Sequence, residues 1–516
     1  MNWRTFRPMG LTACAVSMAM AVGALAAPGL IRPDGDKEKL QQRLGMTDGD
    51  FSMLLRIMDE GKNNNKVMEH LSHLCLEIGP RLTGSTRAET ANHWVAEQFE
   101  AMGLDHVEVR QWGEIPVRFD RGPSSGKMTK PVEREFEFTA RSWSAGTNGT
   151  VRGLVLREPR TEEAFEAIKD KVAGAWILRS PGDAGRRGVV GGGDEPREFL
   201  PDLHALGIAG LITTARAEIV NTGGARGWRD MNPDELPTEV SVTIRRSDYD
   251  AINSRLADGD EVEVEFDLNH TFVKGPIPVY NTIGEIRGSV WPDEVVIIGA
   301  HLDSWDGPGS QGTVDNGTGS SVTIEAARIL KAAGAKPKRT IRFLLFTGEE
   351  QGLLGSRAYV AALPDEEKAK ISAIFVDDSG TNRESSLTAI ASMEPILGGA
   401  VEAMNYAFPD MPVELQVRDR MPRGGASDHA SFNAAGIPGF FWGKTGRADY
   451  RYAWHTQNDK IDQAIPEYLT MNSTVSAIAA FVLAQAETLL PRQVEEAPQE
   501  QAAEGRGESS FRAGVE

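Results

Sequence analysis

The sequence predicts an α/β fold in which a mostly parallel mixed sheet carries helices on both faces and an α+β unit is inserted. Between residues 278 and 490, buried apolar runs alternate with helical patterns, in which apolar residues recur every three or four positions. Strands that alternate with helices form a mostly parallel sheet covered on both faces. Between residues 145 and 270, short β runs separated by glycine-rich loops indicate a compact α+β unit.

The length and the charge of the chain restrict its class. Its 516 residues, of which 40% are hydrophobic and 25% charged, are enough for two or three domains with an ample core. The formal net charge is -19 and no run of lysines or arginines stands out, which argues against nucleic acid as a partner.

Residues 1–26 have the pattern of a secretory signal peptide. Arg4 and Arg7 form a basic start, a stretch of small apolar residues follows, and Ala-Leu-Ala at 24–26 offers a cleavage site. We therefore expect an exported protein, periplasmic or extracellular, with no membrane contact after cleavage. The alternative is a membrane anchor. It is disfavoured because the apolar stretch is near the lower length limit for a bilayer span.

The two cysteines also bear on the fold. Cys14 would leave with the signal peptide, so Cys75 remains alone and an intramolecular disulfide is excluded. The apolar helical pattern around Cys75 favours a buried core thiol over a nucleophile.

The first elements after the signal peptide follow in order. A polar stretch runs to about residue 60, helices are predicted across 66–103, and strands across 106–140 with a loop at 121–131. The inserted unit contains five β runs, two short helical patches and no catalytic cluster. Its glycine-rich run at 182–194 lacks the Lys-Ser/Thr ending of a phosphate-binding loop, so a flexible loop is favoured.

The alternating segment supplies the main sheet and its helices. Strands are predicted at 294–301, 339–347, 371–378 and 437–442, and helices at 317–334, 356–363, 395–407, 427–436 and 465–490. The tail from Pro491 is rich in Glu, Gln, Ala and Gly and is predicted to be disordered.

Polar residues follow the predicted strands at the point where each strand ends. They are His301, Asp303, Asp315, Glu349, Glu350, Asp377, Asp378 and His455. Because sites in such sheets form at the carboxyl ends of the strands, these side chains are expected to converge on one rim.

Two imidazoles and several carboxylates without a cysteine suit zinc. One catalytic zinc takes about three protein ligands, and His301, Asp315, Glu350, one of Asp377 or Asp378, and His455 exceed that number. If Asp315 bridges, two ions each receive one histidine, one further carboxylate and the shared aspartate. Asp315 could instead cap the helix that follows it. Asp303 is placed to orient the imidazole of His301 by accepting its other N–H.

These motifs resemble a known family. The segments GAHLDSW, GTVDNGTG, FTGEEQGLLGS, VDDSGT, SDHASF and HTQND are similar to those of the di-zinc aminopeptidase and glutamate carboxypeptidase superfamily. Within it, HLDSWD and the inserted unit most resemble the plasma glutamate carboxypeptidase group, the carboxypeptidase Q-like peptidases. The resemblance covers roughly residues 65–490 and implies a zinc exopeptidase fold with an inserted protease-associated domain.

The resemblance also implies a domain division. It comprises a signal peptide at 1–26, the N-terminal part of the peptidase domain at 27–144 and the inserted protease-associated domain at 145–270. The peptidase domain with the metal site follows at 271–490, and a disordered tail at 491–516.

The resemblance implies a role for each residue of the site. His301 and Asp378 would bind one zinc, Glu350 and His455 the other, and Asp315 would bridge them, with Glu349 as the general base. Asp378 is preferred to Asp377 because the family ligand stands two residues before the Gly-Thr of this loop.

The implied function is that of a secreted di-zinc exopeptidase acting on dipeptides or on short peptides with an unblocked N-terminus. The alternatives are a carboxypeptidase acting at a free C-terminus, a metal-free receptor-like protein, and a mono-zinc glutaminyl cyclase. Asp428, Arg423 and Tyr452 are hypotheses for substrate binding. The group that stabilises the oxyanion stays open among Tyr450, Tyr452 and Arg423. The inserted domain would either cover the cleft or form a homodimer contact.

Overall fold

The computed structural model of the protein describes residues 34–181 and 199–493. The predicted signal peptide, the glycine-rich run at 182–194 and residues 494–516 of the predicted tail lie outside the described residues. Within the described ranges, every helix is too short or too polar to cross a membrane.

The described strands are β1 (His106–Lys130), β2 (Arg134–Glu135), β3 (Phe138–Thr139), β4 (Val151–Arg157), β5 (Trp176–Leu178), β6 (Gly210–Thr214), β7 (Ser241–Ile244), β8 (Glu263–Ile286), β9 (Trp291–His301), β10 (Arg339–Phe346), β11 (Ile371–Val376), β12 (Arg383–Ile390), β13 (Glu414–Arg418), β14 (Gly439–Phe441) and β15 (Gly443–Thr445).

The described α-helices are α1 (Asp34–Leu44), α2 (Asp48–Asn63), α3 (Val67–Ser72), α4 (Thr86–Ala101), α5 (Glu162–Ile168), α6 (Leu200–Ala205), α7 (Arg246–Ala257), α8 (Thr318–Ala333), α9 (Leu354–Ala362), α10 (Asp365–Lys370), α11 (Glu394–Ala407), α12 (His429–Ala434), α13 (Tyr450–Ala453) and α14 (Pro466–Gln485).

The main sheet has the predicted mixed, mostly parallel character. β14, β11, β9 and β10 lie side by side in that order and are parallel, and β8 and then β1 continue the sheet in antiparallel orientation. Successive residues of β9 face opposite sides of the sheet. Ile298 packs in the apolar cluster that includes α8 and α14, whereas Ile297 packs in the cluster with Tyr359 of α9 and Phe432 of α12. The prediction of helices on both faces is confirmed.

The inserted unit has a core of its own, and its strands continue the main sheet because β4 pairs with β8. β4, β5, β6 and β7 are parallel neighbours in chain order, and buried side chains such as Trp176, Val242 and Phe266 form a separate apolar cluster. The sheet of this unit also includes residues 124–139, which lie before the proposed boundary at residue 145. That boundary, and the identification of the unit as a protease-associated domain, stay predictions.

The predicted loop at 121–131 is wrong, because β1 continues to Lys130. β1 and β8 pair as one antiparallel ribbon that crosses both units. His106 pairs with Glu285 at one end of the ribbon, and Lys130 pairs with Glu263 at the other. A register shift between Arg121 and Ser124 accommodates the Gly-Pro pair that suggested a loop. Beyond it, Met128 is buried in the core of the inserted unit.

Two further features were not predicted. The polar stretch before residue 60 is helical. In α2, Phe51, Leu54 and Ile57 lie on one face and are buried, and Thr47 caps the helix by accepting from the amide of Asp50. A small sheet of β13, β12 and β15 lies apart from the main sheet. Cys75 is buried in the main core, as predicted.

His270 on β8 lies where the two units meet. Its Nδ1 donates to the carbonyl of Ser144 at 2.9 Å, and its Nε2 accepts from Arg121 at 2.7 Å. Burial and the charge of Arg121 lower the pKa of His270 to about 4. Because an unfolded histidine has a pKa near about 6.5, the unfolded chain takes up the proton first as the pH falls.

We therefore expect wild type to lose stability between about pH 6.5 and pH 4, by at most about 3 kcal/mol from this residue. His270→Gln keeps a donor and an acceptor but cannot be protonated, so its free energy of unfolding should fall less over the same interval. Urea unfolding of both proteins in the presence of a chelator, at several pH values, measures the difference. If the free energies of unfolding of the two proteins fall equally with pH, His270 is protonated or exposed in the folded chain.

Candidate metal centre

The candidate ligands stand at the carboxyl edge of the main sheet. His301 is the last residue of β9, Glu349 and Glu350 follow β10 by three and four residues, and Asp378 follows β11 by two. Because β9, β10 and β11 are parallel neighbours with Phe346 opposite His301, these three strand ends lie together.

Asp315 lies between two imidazoles and faces both. Its Oδ1 is 3.3 Å from Nε2 of His301, and its Oδ2 is 3.2 Å from Nε2 of His455. Asp378 Oδ1 lies 3.1 Å from Nε2 of His301, and Glu350 Oε2 lies 2.9 Å from Nε2 of His455. The arrangement therefore consists of two half-sites that share one aspartate.

Glu349 lies nearer to the His301 half-site than to the His455 half-site. Its Oε2 is 3.9 Å from Nε2 of His301, which is the longest of the imidazole–carboxylate distances in the cluster. Its side chain is 12% exposed, against 1% for Glu350 and 8% for Asp378. Of these carboxylates, Glu349 is thus the most accessible and the least closely engaged.

Polar groups behind the ligands hold their orientation. Nδ1 of His301 donates to the main-chain carbonyl of Asp303 at 3.0 Å, which leaves Nε2 as the candidate ligand atom. The Asp303 carboxylate lies 3.6 Å from the same Nδ1 and accepts the amides of Glu349 and Glu350 at 3.3 Å each. Asp303 therefore links the His301 loop to the glutamate pair, and Thr83 donates to it at 2.9 Å.

Several residues that position the site were missed in the sequence. Asp459 accepts the amides of Val314 and Asp315, and Asn316 Nδ2 donates to the carbonyl of Asp377 at 2.7 Å. Arg81 is fully buried and donates to the carbonyls of Leu302 and Gly312, so it ties the His301 loop to the Asp315 loop. The sequence signal for Arg81 is weak: a single arginine after a Gly-Pro break.

His455 adopts a strained backbone conformation. Its φ is 53°, in the left-handed region that non-glycine residues rarely adopt, at a cost of about 1–3 kcal/mol. The ring of Trp454 stacks on its imidazole with centroids 4.1 Å apart, and Trp305 meets it edge to face at 6.2 Å. Surrounding contacts therefore maintain a conformation that the local chain disfavours.

The two aspartates after β11 have separate partners. Asp378 faces His301, whereas Asp377 forms a buried ion pair with Lys444. Lys444 also donates to the carbonyl of Gly380 at 2.6 Å, and the carboxyl of Glu384 is buried nearby. The structure thus places Asp378, not Asp377, among the candidate ligands.

The electrostatics of the cluster favour a bound cation. Burial raises the pKa of Glu350 to about 7 and that of Glu349 to about 11, and neighbouring carboxylates add to both shifts. Burial opposes the charged form of His455, but contacts with Asp315 and Glu350 outweigh it and raise its pKa to about 10. Apart from the imidazole of His455, the buried Asp315 Oδ2 and Glu350 Oε2 have no hydrogen-bond donor among the described residues. Lone pairs that converge in this way fit divalent metal ions.

The three residues suggested for substrate binding lie in different settings. Asp428 is fully buried beside the cluster, and its pKa is raised to about 7 first by burial. Tyr452 is 43% exposed, and Arg423 is also exposed. Tyr450 is largely enclosed. Burial and the carboxylates of the cluster raise its pKa well above the ordinary value, which places it beside the site.

Comparisons with known proteins find several similar peptidases. The model of peptidase family M28 matches residues 281–482. The chain is 28% identical over 449 residues to carboxypeptidase Q of Mus musculus, covering 84% of this chain and 88% of that protein. It is 30% identical over 421 residues to aminopeptidase YwaD of Bacillus subtilis, covering 80% and 83%. A peptidase M28 precursor from Shewanella amazonensis has a similar structure, with a TM-score of 0.59, 25% identity and coverage of 90% of this chain and all of that one.

The choice between the neighbouring aspartates can be tested directly. If Asp378 is a ligand, Asp378→Asn should lower bound zinc by about one ion per chain. Asp377→Asn should keep its zinc but lower the free energy of unfolding by up to about 3 kcal/mol, since Lys444 loses its charged partner. Metal analysis and urea unfolding of both variants measure these effects. Loss of zinc from Asp377→Asn alone would reverse the assignment.

Proposed function

The chain belongs to peptidase family M28 and is a zinc metallopeptidase, and from that premise we propose that it is an exported di-zinc exopeptidase. Its proposed substrates are dipeptides and short peptides with a free N-terminus. The observation that carries the proposal is the placement of Asp315, with one carboxylate oxygen facing each of the two histidines. A single ion would not require an aspartate in that position.

The described residues supply a complete donor set for two ions. His301 and Asp378 would hold one zinc, Glu350 and His455 the other, and Asp315 both. Bound zinc ions polarise a scissile carbonyl and lower the pKa of water. A receptor-like protein without metal would not need these buried carboxylates, and a mono-zinc cyclase would not need both half-sites.

Glu349 is the proposed general base. Its Oε2 lies 3.9 Å from the imidazole of His301, whereas Asp378 Oδ1 lies 3.1 Å from the same ring. In the metal-free chain, burial keeps this carboxyl protonated, and nearby divalent cations favour its ionised form. Glu349 would take a proton from the attacking water and deliver it to the nitrogen of the leaving amine.

The surroundings favour the N-terminal end of a peptide over the C-terminal end. A carboxypeptidase of the glutamate type needs arginines that bind the α-carboxylate. On the late loops, Arg423, Arg447 and Arg451 are exposed, and Arg447 pairs with Glu467. The relatives named carboxypeptidase Q and aminopeptidase YwaD have similar identity to this chain. The names therefore support an exopeptidase but do not decide at which terminus of the peptide it acts.

Glu349→Gln tests the general base. Because glutamine cannot accept the proton, kcat should fall by a factor on the order of 100 to 10,000 while zinc stays near two ions per chain. Glu350→Gln is the matched control, since the same change at the adjacent position should instead release zinc. Undiminished turnover by Glu349→Gln would remove this residue from the mechanism.

A set of blocked dipeptides tests the substrate end. The enzyme should hydrolyse Leu-Gly and its C-terminal amide, and N-acetylation should lower kcat/KM by a factor on the order of 100 or more, because the groups that would pair with the substrate ammonium lose their partner. Chromatography of the released amino acids measures this. Cleavage of the acetylated peptide together with failure on the amide would indicate a carboxypeptidase. Inertness of the zinc-loaded protein toward all three would favour the receptor-like alternative.

A further inference from the structure

The inserted unit contacts the loop that carries His455 through main-chain hydrogen bonds. The amide of Thr222 donates to the carbonyl of His455 at 2.8 Å, and the amide of Gln457 donates to the carbonyl of Val220 at 3.1 Å. Oε1 of Gln457 accepts the amide of Val220 at 2.8 Å. Val220 is completely buried and Gln457 is 5% exposed. Residues 220–222 thus form a short antiparallel bridge with 455–457.

The same part of the inserted unit reaches the glutamate pair. We name residues 220–229 the rim segment. Arg229 donates to the carbonyl of Gln351, directly after Glu350. Trp228 stacks on Trp143 with centroids 4.2 Å apart, and Trp143 meets Trp305 edge to face at 6.5 Å.

Trp305 then connects these rings to both ligands of one half-site. Its amide donates to Oε1 of Glu350 at 3.3 Å, and its ring meets the imidazole of His455. The approach is close: a Cβ at Gly307 would lie 2.1 Å from Cγ2 of Thr222, so a side chain at Gly307 would push the rim segment away. The contacts therefore depend on a specific fit between the two units.

The other half-site is held from within the main domain. His301 is oriented by Asp303, and its carbonyl accepts from Ser320 at 2.7 Å. Asp378 follows β11 in the main sheet and contacts Ser427. Within the described ranges, the hydrogen bonds of the rim segment to other segments go to the loops of Glu350 and His455 and to residues 141–142. The support from the inserted unit is thus unequal between the half-sites.

We propose that the rim segment is a positioning element for Glu350 and His455, so that the inserted unit sets the affinity of one of the two zinc ions. This inference rests on the proposed two-zinc function. The bridge at 220–222 maintains the left-handed backbone of His455, whose imidazole would otherwise turn away from Asp315. The contact of Arg229 with Gln351 restrains the loop after Glu350.

Zinc binding to the full chain at buffered free zinc tests the proposal. Gln457→Met keeps the size of the side chain but removes the acceptor for Val220, and it should raise one of the two zinc dissociation constants about tenfold. The other constant should stay within a factor of about two. Arg229→Ala should weaken the same ion, and it decides the outcome if Gln457→Met does not fold. Gln416→Met on β13 and Arg246→Ala on the exposed face of α7 are the matched controls and should leave both constants unchanged.

The Glu350→Ala chain identifies the affected ion. It should retain only the zinc held by His301, Asp315 and Asp378, and adding Gln457→Met should then have no effect on that ion. Equal weakening of both ions, unchanged constants in both variants, or further weakening in the Glu350→Ala chain would overturn the inference. Because the measurement is metal affinity, shifted constants in a protein without peptidase activity would contradict the proposed function alone. Hydrolysis with unshifted constants would contradict the inference alone.

Discussion

Mutual repulsion among buried carboxylates is the constraint on which the rest of the site depends. Asp315, Glu349, Glu350 and Asp378 converge on two imidazoles in a largely buried space, and burial by itself disfavours each negative charge. Two divalent cations would remove that penalty and allow all four to stay ionised. Adjacent positions at a strand end would let Glu350 bind a metal ion while Glu349 stays free to take up a proton.

The fold meets this constraint with rigid support from several elements. Parallel β9, β10 and β11 bring three ligand-bearing ends together, and a layer of buried polar residues then fixes the loops. The carboxylate of Asp303 joins the loop after β9 to the loop after β10, and Arg81 joins the loop after β9 to the Asp315 loop through their carbonyls. Asp459 accepts the main-chain amide of Asp315. His455 is even kept in a strained conformation. Such features reduce stability locally, and they are expected where geometry serves chemistry.

Much of the main domain and its candidate ligands could be predicted from the sequence because both depend on local patterns. Continuous apolar runs mark β9, β10 and β11, and the polar residue after each run marks the rim. The continuation of β1 to Lys130 could not be predicted, because its pairing with β8 decides it and the Gly-Pro pair points to a loop. Arg81 and Gln457 act on partners more than 200 residues away in the chain. Contacts of that kind leave no periodic signal.

Anomalous X-ray scattering from crystals of the zinc-loaded protein, at the zinc absorption edge, tests the central claim most directly. Two peaks about 3.5–4 Å apart are expected, with Asp315 contacting both, His301 and Asp378 at one, and Glu350 and His455 at the other. A single peak, or two peaks that do not share Asp315, would contradict the two-zinc centre.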